Sequence, residues 1–177
     1  MRRLLALASA IVFVDTMFFA AVVPILPALA EEFGLSKSEA GVLTGAYAAG
    51  TFVGAIPGGW LAARLGVRPT VLIGLGLMSG SSVAFALAQE AWILDAARLV
   101  QGVGGAASWA GALSWLVGAA PRERRGELIG AAMAAAIAGA LFGPVLGGAA
   151  EAAGRGVVFT LVAGVGAALM EIGRAHV

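Results

Sequence analysis

Cysteine is absent from this 177-residue chain, and histidine occurs once, as His176 at its penultimate position. Without a thiol there is no disulfide framework and no thiolate metal site. One terminal histidine supplies neither a metal cluster nor a nucleophile and base pair. Charge is scarce too: 12% of residues are Asp, Glu, Lys or Arg, and they sum to +1. Soluble domains carry about 25% charged residues, and a chain without a basic excess does not fit nucleic acid as a partner. No linker or low-complexity tract breaks the sequence. What fills it is apolar, with 60% hydrophobic residues and a mean hydropathy of +0.97. In lipid the backbone must satisfy its own hydrogen bonds, so this composition predicts an all-α integral membrane protein.

Apolar runs cover Leu4 to Leu29, Ala40 to Ala63, Pro69 to Ala88, Ala91 to Ala119, Leu128 to Ala150 and Val157 to Met170. Crossing a hydrocarbon core of about 30 Å takes roughly 20 residues, which the first five runs reach. The sixth has fourteen residues, so five full spans and a truncated sixth are expected. The closing EIGRAHV resembles a translated sequencing adapter, which divides the chain into a helix bundle at 1–170 and a non-native tail at 171–177 that includes His176. Such scars are kept out of fold reasoning. The opening MRR and apolar run mimic a signal peptide with an ALA site at Ala28 to Ala30, but Asp15, Pro24 and Pro27 fit a first spanning helix better.

Basic residues sort by side. If each run spans, Arg2, Arg3, Arg64, Arg68, Arg122, Arg124 and Arg125 share one side and Lys37 and Arg155 the other, which places the N-terminus in the cytoplasm. Ser36 followed by Glu39 reads as a capping box opening the second helix, and Pro69 fits the first turn of the third.

The fifth run, GAAMAAAIAGALFGPVLGG, combines glycines with Pro144 in a segment that should be a helix. Ala131, Ala135, Gly139, Gly143 and Gly147 recur every four residues, a stripe that lets a neighbouring backbone approach closely. Gly50, Gly54 and Gly58 repeat the device in the second run. Pro144 removes an N–H and crowds Ala140, predicting a bend beside Gly143.

Four stretches together carry a family resemblance. Gly130, then Gly139, then Gly143, Pro144, Gly147 and Gly148 at these spacings are similar to the antiporter motif in the fifth helix of proton-coupled exporters of the major facilitator superfamily. RLVQGVGGAA, with Arg98, Gln101, Gly102 and Gly104, resembles the superfamily's fourth-helix motif, and DTMFFAAVVPILP resembles the first-helix signature of drug and tetracycline exporters. GGWLAARLGVRP matches the loop motif between helices two and three at Gly59, Arg64, Gly66 and Arg68, but departs from it at Ala63 and Val67. Simple topology anchoring also accounts for Arg64 and Arg68.

The resemblance implies the N-terminal six-helix half of a twelve-helix secondary transporter in the bacterial inner membrane. Its substrate cavity would form against a missing C-terminal half. It further implies proton-coupled efflux of small drug-like or amphiphilic molecules by alternating access. The partners are then the lipid bilayer, protons and a small-molecule substrate, with no cofactor and no metal. A metabolite or sugar transporter on the same fold is the near alternative, and a non-transporting assembly protein a further one. An enzyme would need a catalytic constellation that these helices lack.

Two charges fall deep inside the runs. Asp15 lies about 16 Å from the Leu4 edge and Arg98 about 10 Å from the opposite one, at 1.5 Å per residue. They are therefore at comparable depth. Arg98 is placed either to meet Asp15 across a cavity or to pair with Asp95 on its own helix. Asp15 is the residue type that trades a proton for a ligand. Gln101 and Trp109 join it as cavity candidates; Trp109 and Trp115 are equally suited to packing or lipid, and Trp60 and Trp92 to the interfacial belt. Glu31, Glu32, Glu90 and Glu151 read as solvated loop charges.

Overall fold

The structure is a computed structural model that describes residues 2–175, so His176 of the tail lies outside the described residues. Six helices make up nearly all of it: α1 (Arg2–Phe33), α2 (Lys37–Arg64), α3 (Val67–Leu87), α4 (Ala91–Ala119), α5 (Arg125–Ala153) and α6 (Arg155–Ala175). One 3₁₀ turn, Arg122–Arg124, precedes α5, and no strand occurs among the described residues. Every connection is a short turn, which makes consecutive helices antiparallel.

The turns follow local chemistry. Gly34 at φ +63° ends α1, and the Leu35 N–H closes back on the Ala30 carbonyl at 2.8 Å. Ser36 then caps α2: its N–H donates to Glu39 Oε2 at 2.7 Å, while its Oγ accepts from the Glu39 N–H at 3.3 Å. Gly66, at φ +89°, precedes α3, a conformation that a Cβ would strain, and Pro69 falls in the first turn. Glu90 alone of the four expected loop glutamates sits in a turn; Glu31 and Glu32 end α1, and Glu151 ends α5. Glu32 pairs with Arg155 at 3.1 Å.

Five helices are long and apolar enough to cross a membrane: α1, α2, α3, α5 (with its 3₁₀ turn) and α6. The number matches the sequence expectation, but the membership differs. The sixth helix outruns its apolar core, starting at Arg155 and continuing to Ala175, for 21 residues in all. At 1.5 Å per residue that is about 31 Å. Conversely α4, although 29 residues long, is outside the set: Asp95, Arg98 and Gln101 fall in its first half, and glycine, serine and tryptophan interleave the rest.

Helix α5 packs mainly on α1, α2 on α4, and α3 on both α4 and α6. In lipid, close backbone approach replaces the hydrophobic drive, and glycines supply it. A Cβ at Gly50 would collide with the Leu99 carbonyl, one at Gly54 would meet Val103 Cα at 2.9 Å, and one at Gly58 would meet Ala107 Cα at 3.1 Å. The α2 stripe is thus the α2–α4 seam. On α4 three glycines serve three directions: Gly102 abuts the Tyr47 backbone of α2, Gly104 the Gly74 carbonyl of α3 at 2.8 Å, and Gly105 the Asp15 side chain of α1 at 2.6 Å, measured from a hypothetical Cβ. Residues two and one apart on a helix point 200° and 100° away from each other, so such a cluster can face three neighbours at once.

The α5 stripe differs in part from its expected course. Gly139, Gly143 and Gly147 are buried against Phe13, Met17, Ala20 and Ala21 of α1, but Ala131 is exposed and Ala135 only half-buried. The buried positions are Leu128, Ala132, Ala136, Gly139, Gly143, Gly147 and Ala150. A strict four-residue repeat drifts about 40° per step on a 3.6-residue helix, and the seam corrects it with three-residue steps. Gly130, Pro144 and Gly148 of the same motif are exposed, and α5 runs unbroken through Pro144. Aromatic contacts complete the other side, with Phe159 of α6 lying 6.4 Å from Phe18 of α1 and 4.8 Å from Phe85 of α3.

Candidate functional site

Burial of a carboxylate and a guanidinium is costly unless each finds partners. Asp15 is 2% exposed and Arg98 1%. Halfway along α1, the Asp15 carboxylate accepts from two donors. The Tyr47 hydroxyl of α2 lies 2.9 and 2.8 Å from its two oxygens, and Trp109 Nε1 of α4 donates to Oδ2 at 2.7 Å. Gly105, one turn before Trp109, leaves the volume the carboxylate occupies.

Arg98 turns elsewhere. Its Nη1 donates to Gln101 Oε1 at 2.7 Å and its Nη2 to the Phe19 carbonyl at 3.4 Å, while buried Nε has no hydrogen-bond partner. The guanidinium carbon sits 5.0 Å from the centre of the Tyr47 ring and 5.9 Å from that of Phe19, within cation–π range. Phe19 and Tyr47 are themselves 4.9 Å apart. No ion pair among the described residues joins Arg98 to Asp15 or to Asp95. Of the two arrangements open to the sequence, neither is found. Instead a tyrosine stands between the charges, its hydroxyl on the acid and its ring on the base.

Asp15, Tyr47 and Trp109 border a cavity of about 440 Å³, lined also by Thr16, Phe19 and Thr51. Arg98 and Gln101, expected at the cavity, are not on its lining: Arg98 lies behind the Tyr47 and Phe19 rings, with Gln101 bonded to it. The one proton of Thr16 Oγ1 is shared between the Val12 carbonyl of its own helix and the Ala136 carbonyl across the seam, both at 2.8 Å, and Thr51 lies 3.4 Å from the Gly102 carbonyl. The lining therefore offers one carboxylate, hydroxyls and three aromatic rings.

The structure brings Asp15 and Trp109 into direct contact and pairs Arg98 with Gln101, but it disperses the other candidates. Trp115 packs against the main core rather than the cavity, while Trp60 and Trp92 are exposed. Arg64 lies over the Trp60 ring at 5.6 Å, Gly59 faces open space, and Arg68 donates to the Arg174 carbonyl of α6. Tyr47, Thr16 and Gly105 were not singled out from the sequence. The signal for Tyr47 was that it is the chain's single tyrosine, placed in an apolar run.

Six membrane-length helices packed through glycine seams, with a buried acid beside a cavity and a buried base across a tyrosine ring from it, define a polytopic membrane protein. The chain belongs to the Major Facilitator Superfamily, whose family model matches residues 8–172. It is 34% identical over 154 residues to the tetracycline resistance protein, class E, of Escherichia coli, covering 84% of this chain and 37% of that protein. It is 32% identical over 158 residues to the MFS-type transporter ppzB of Metarhizium rileyi (strain RCEF 4871), covering 85% and 32%. The quinolone resistance protein NorA of Staphylococcus aureus (strain MRSA252) is 29% identical over 127 residues, 72% of this chain and 33% of that protein. The chain thus spans about a third of the length of these curated relatives. In fold it is similar to a bacterial homolog of the human lysosomal transporter Spinster, solved in an inward-facing, unoccupied conformation. That match has a TM-score of 0.88 at 19% identity, covering 98% of this chain and 42% of the other. Family and relatives indicate a transporter rather than an enzyme.

Proposed function

We propose that residues 1–170 form the N-terminal bundle of a proton-coupled exporter of small drug-like or amphiphilic molecules, with 171–177 a non-native tail. Asp15 is the residue that exchanges a proton for substrate. The observation carrying this reading is the carboxylate itself, mid-helix, buried, held by two donors and bordering the cavity. An acid in that position has two states to trade. Ionised, it keeps the Tyr47 and Trp109 bonds; protonated, it sheds its charge. A substrate that takes those bonds shifts the balance between them, which is the coupling that exchange requires. The resistance proteins among the relatives support the drug-like substrate class. The distribution of arginines over the turns supports a cytoplasmic N-terminus in the bacterial inner membrane. A second half, absent from this chain, would close the cavity.

The test is Asp15→Asn in the full-length protein, reconstituted in vesicles with an imposed proton gradient. The variant inserts normally and loses gradient-driven efflux of a fluorescent cationic dye. Wild-type efflux across pH would remove Asp15 from the coupling step, and gradient-driven uptake of a sugar or metabolite in place of dye efflux would favour the alternative substrate class.

A further inference from the structure

We infer that Tyr47 is a positioning residue for Asp15, setting the pH at which that carboxylate gives up its proton and holding Arg98 off it; this rests on the reading of Asp15 as the exchanging acid. Tyr47 donates one proton, shared between both carboxylate oxygens at 2.9 and 2.8 Å, so it fixes the plane of the carboxylate as well as its charge. The same ring meets the Arg98 guanidinium face-on at 5.0 Å. A guanidinium free to fork onto a carboxylate makes a bidentate pair that favours ionisation strongly. With the phenol between them that pair does not form. The Arg98 hydrogen bonds go to Gln101 and Phe19, and Nε keeps none.

The place of Tyr47 is built from both sides. Its main-chain carbonyl lies where Gly102 of α4 has no side chain, and its hydroxyl lies 3.0 Å from where a Cβ of Gly105 would sit. Phe19 flanks the ring at 4.9 Å. The charged and titratable groups facing the tyrosine are Asp15 from α1 and Arg98 from α4. From α5 only the apolar seam with α1 approaches this level, since Glu127 and Glu151 lie near the helix ends. A hydroxyl that stabilises one protonation state of one acid, from a rigid seat, acts on the pH dependence rather than on substrate contact alone.

The experiment reads protonation directly. Dicyclohexylcarbodiimide modifies protonated buried carboxyls, and peptide mass spectrometry of the full-length protein gives the pH at which Asp15 is half-labelled. In Tyr47→Phe the ring stays over Arg98 while the donor is lost, and the half-labelling pH rises by about one to two units, the scale of one hydrogen bond to a charged group. Site-specific 3-fluorotyrosine at position 47 keeps the shape and sharpens the donor, so the half-labelling pH falls. The pH of half-maximal efflux moves with it in each case. Unchanged labelling in the fluorotyrosine protein, or in a Tyr47→Phe protein of wild-type monodispersity, overturns the proposal. Asp15→Asn with wild-type efflux would instead overturn the coupling role of Asp15 while leaving the labelling shifts intact.

Discussion

Gly143 and Gly148 stand five residues apart in one motif on one helix, and the structure gives them opposite tolerances for a methyl group. A Cβ at Gly143 would strike Ala20 Cβ, with the Met17 carbonyl oxygen at 2.8 Å and the Ala20 carbonyl carbon at 2.9 Å; at Gly148 nothing lies within 4 Å. Carbon contacts are comfortable at about 3.5–4.0 Å, and two of the three obstacles are main chain that cannot rotate away. Gly143→Ala therefore forces α5 back from α1 by about 1 Å or more, since the Ala20 Cβ is as fixed as the main chain, a gap that forfeits about half of each van der Waals contact along the seam. Overpacking of this kind costs about 1–3 kcal/mol. Both substitutions gain the same helix propensity, up to about 1 kcal/mol, so it cancels between them. Gly148→Ala should unfold at or above the wild-type midpoint, and Gly143→Ala about 1–3 kcal/mol below Gly148→Ala. Reversible unfolding of the full-length protein in mixed detergent and dodecyl sulfate micelles measures the difference. Equal midpoints would show that α1 and α5 are not in backbone contact at this level.

Three further outcomes follow from the same geometry. Gly50→Ala, which drives a methyl into the Leu99 carbonyl, should destabilise where Gly59→Ala, facing open space, does not; the same unfolding assay ranks them. Thr16→Val removes the cross-helix bond to Ala136 and should cost about 0.6 kcal/mol and no more than about 1.7, the measured span for such bonds in membranes. Arg155→Met takes away the partner of the Ala88 carbonyl at 2.6 Å and of Glu32, and should speed amide exchange around 85–90 by the equivalent of about 1–3 kcal/mol. Exchange unchanged there would mean that the Arg155 contacts do not hold the α3 end.

Hydropathy made the helices legible because a bilayer leaves a long apolar run almost no other structure. The Ser36 and Glu39 cap was equally plain, since both partners lie within one turn. Less was visible where contacts cross the chain. The α5 stripe was read at a fixed spacing of four, and the alanines at its start slid off the seam because a straight helix does not repeat every four residues. The sixth helix, measured by its apolar residues alone, comes out short, whereas in the structure it starts two residues earlier at Arg155 and runs on through 171–175, inside the proposed tail. Asp15 and Arg98 were placed at similar depth by counting. What counting does not supply is the third residue, for Tyr47 meets partners 32 and 51 positions away, and only the packing of both α1 and α2 against α4 brings the three together.

The crowding of α4 has a consequence for how the protein is made. Its glycines face three neighbours, it carries Asp95 and Arg98, and its most apolar stretch is the least apolar among the six helices. An arginine at a helix centre adds about 2.5–3.5 kcal/mol to the cost of insertion by the translocon, and Arg98, seven residues into the 29-residue α4, adds a smaller part of it. Segment α4 thus enters the bilayer on credit from earlier segments, with the Tyr47 face of α2 and the Gly74 face of α3 already waiting as chaperones in cis. Glycosylation mapping should find α4 inserting poorly alone and well behind α1–α3. An insertion defect in α2, such as a bulky residue at Gly50, would then surface during synthesis as a missing fourth span.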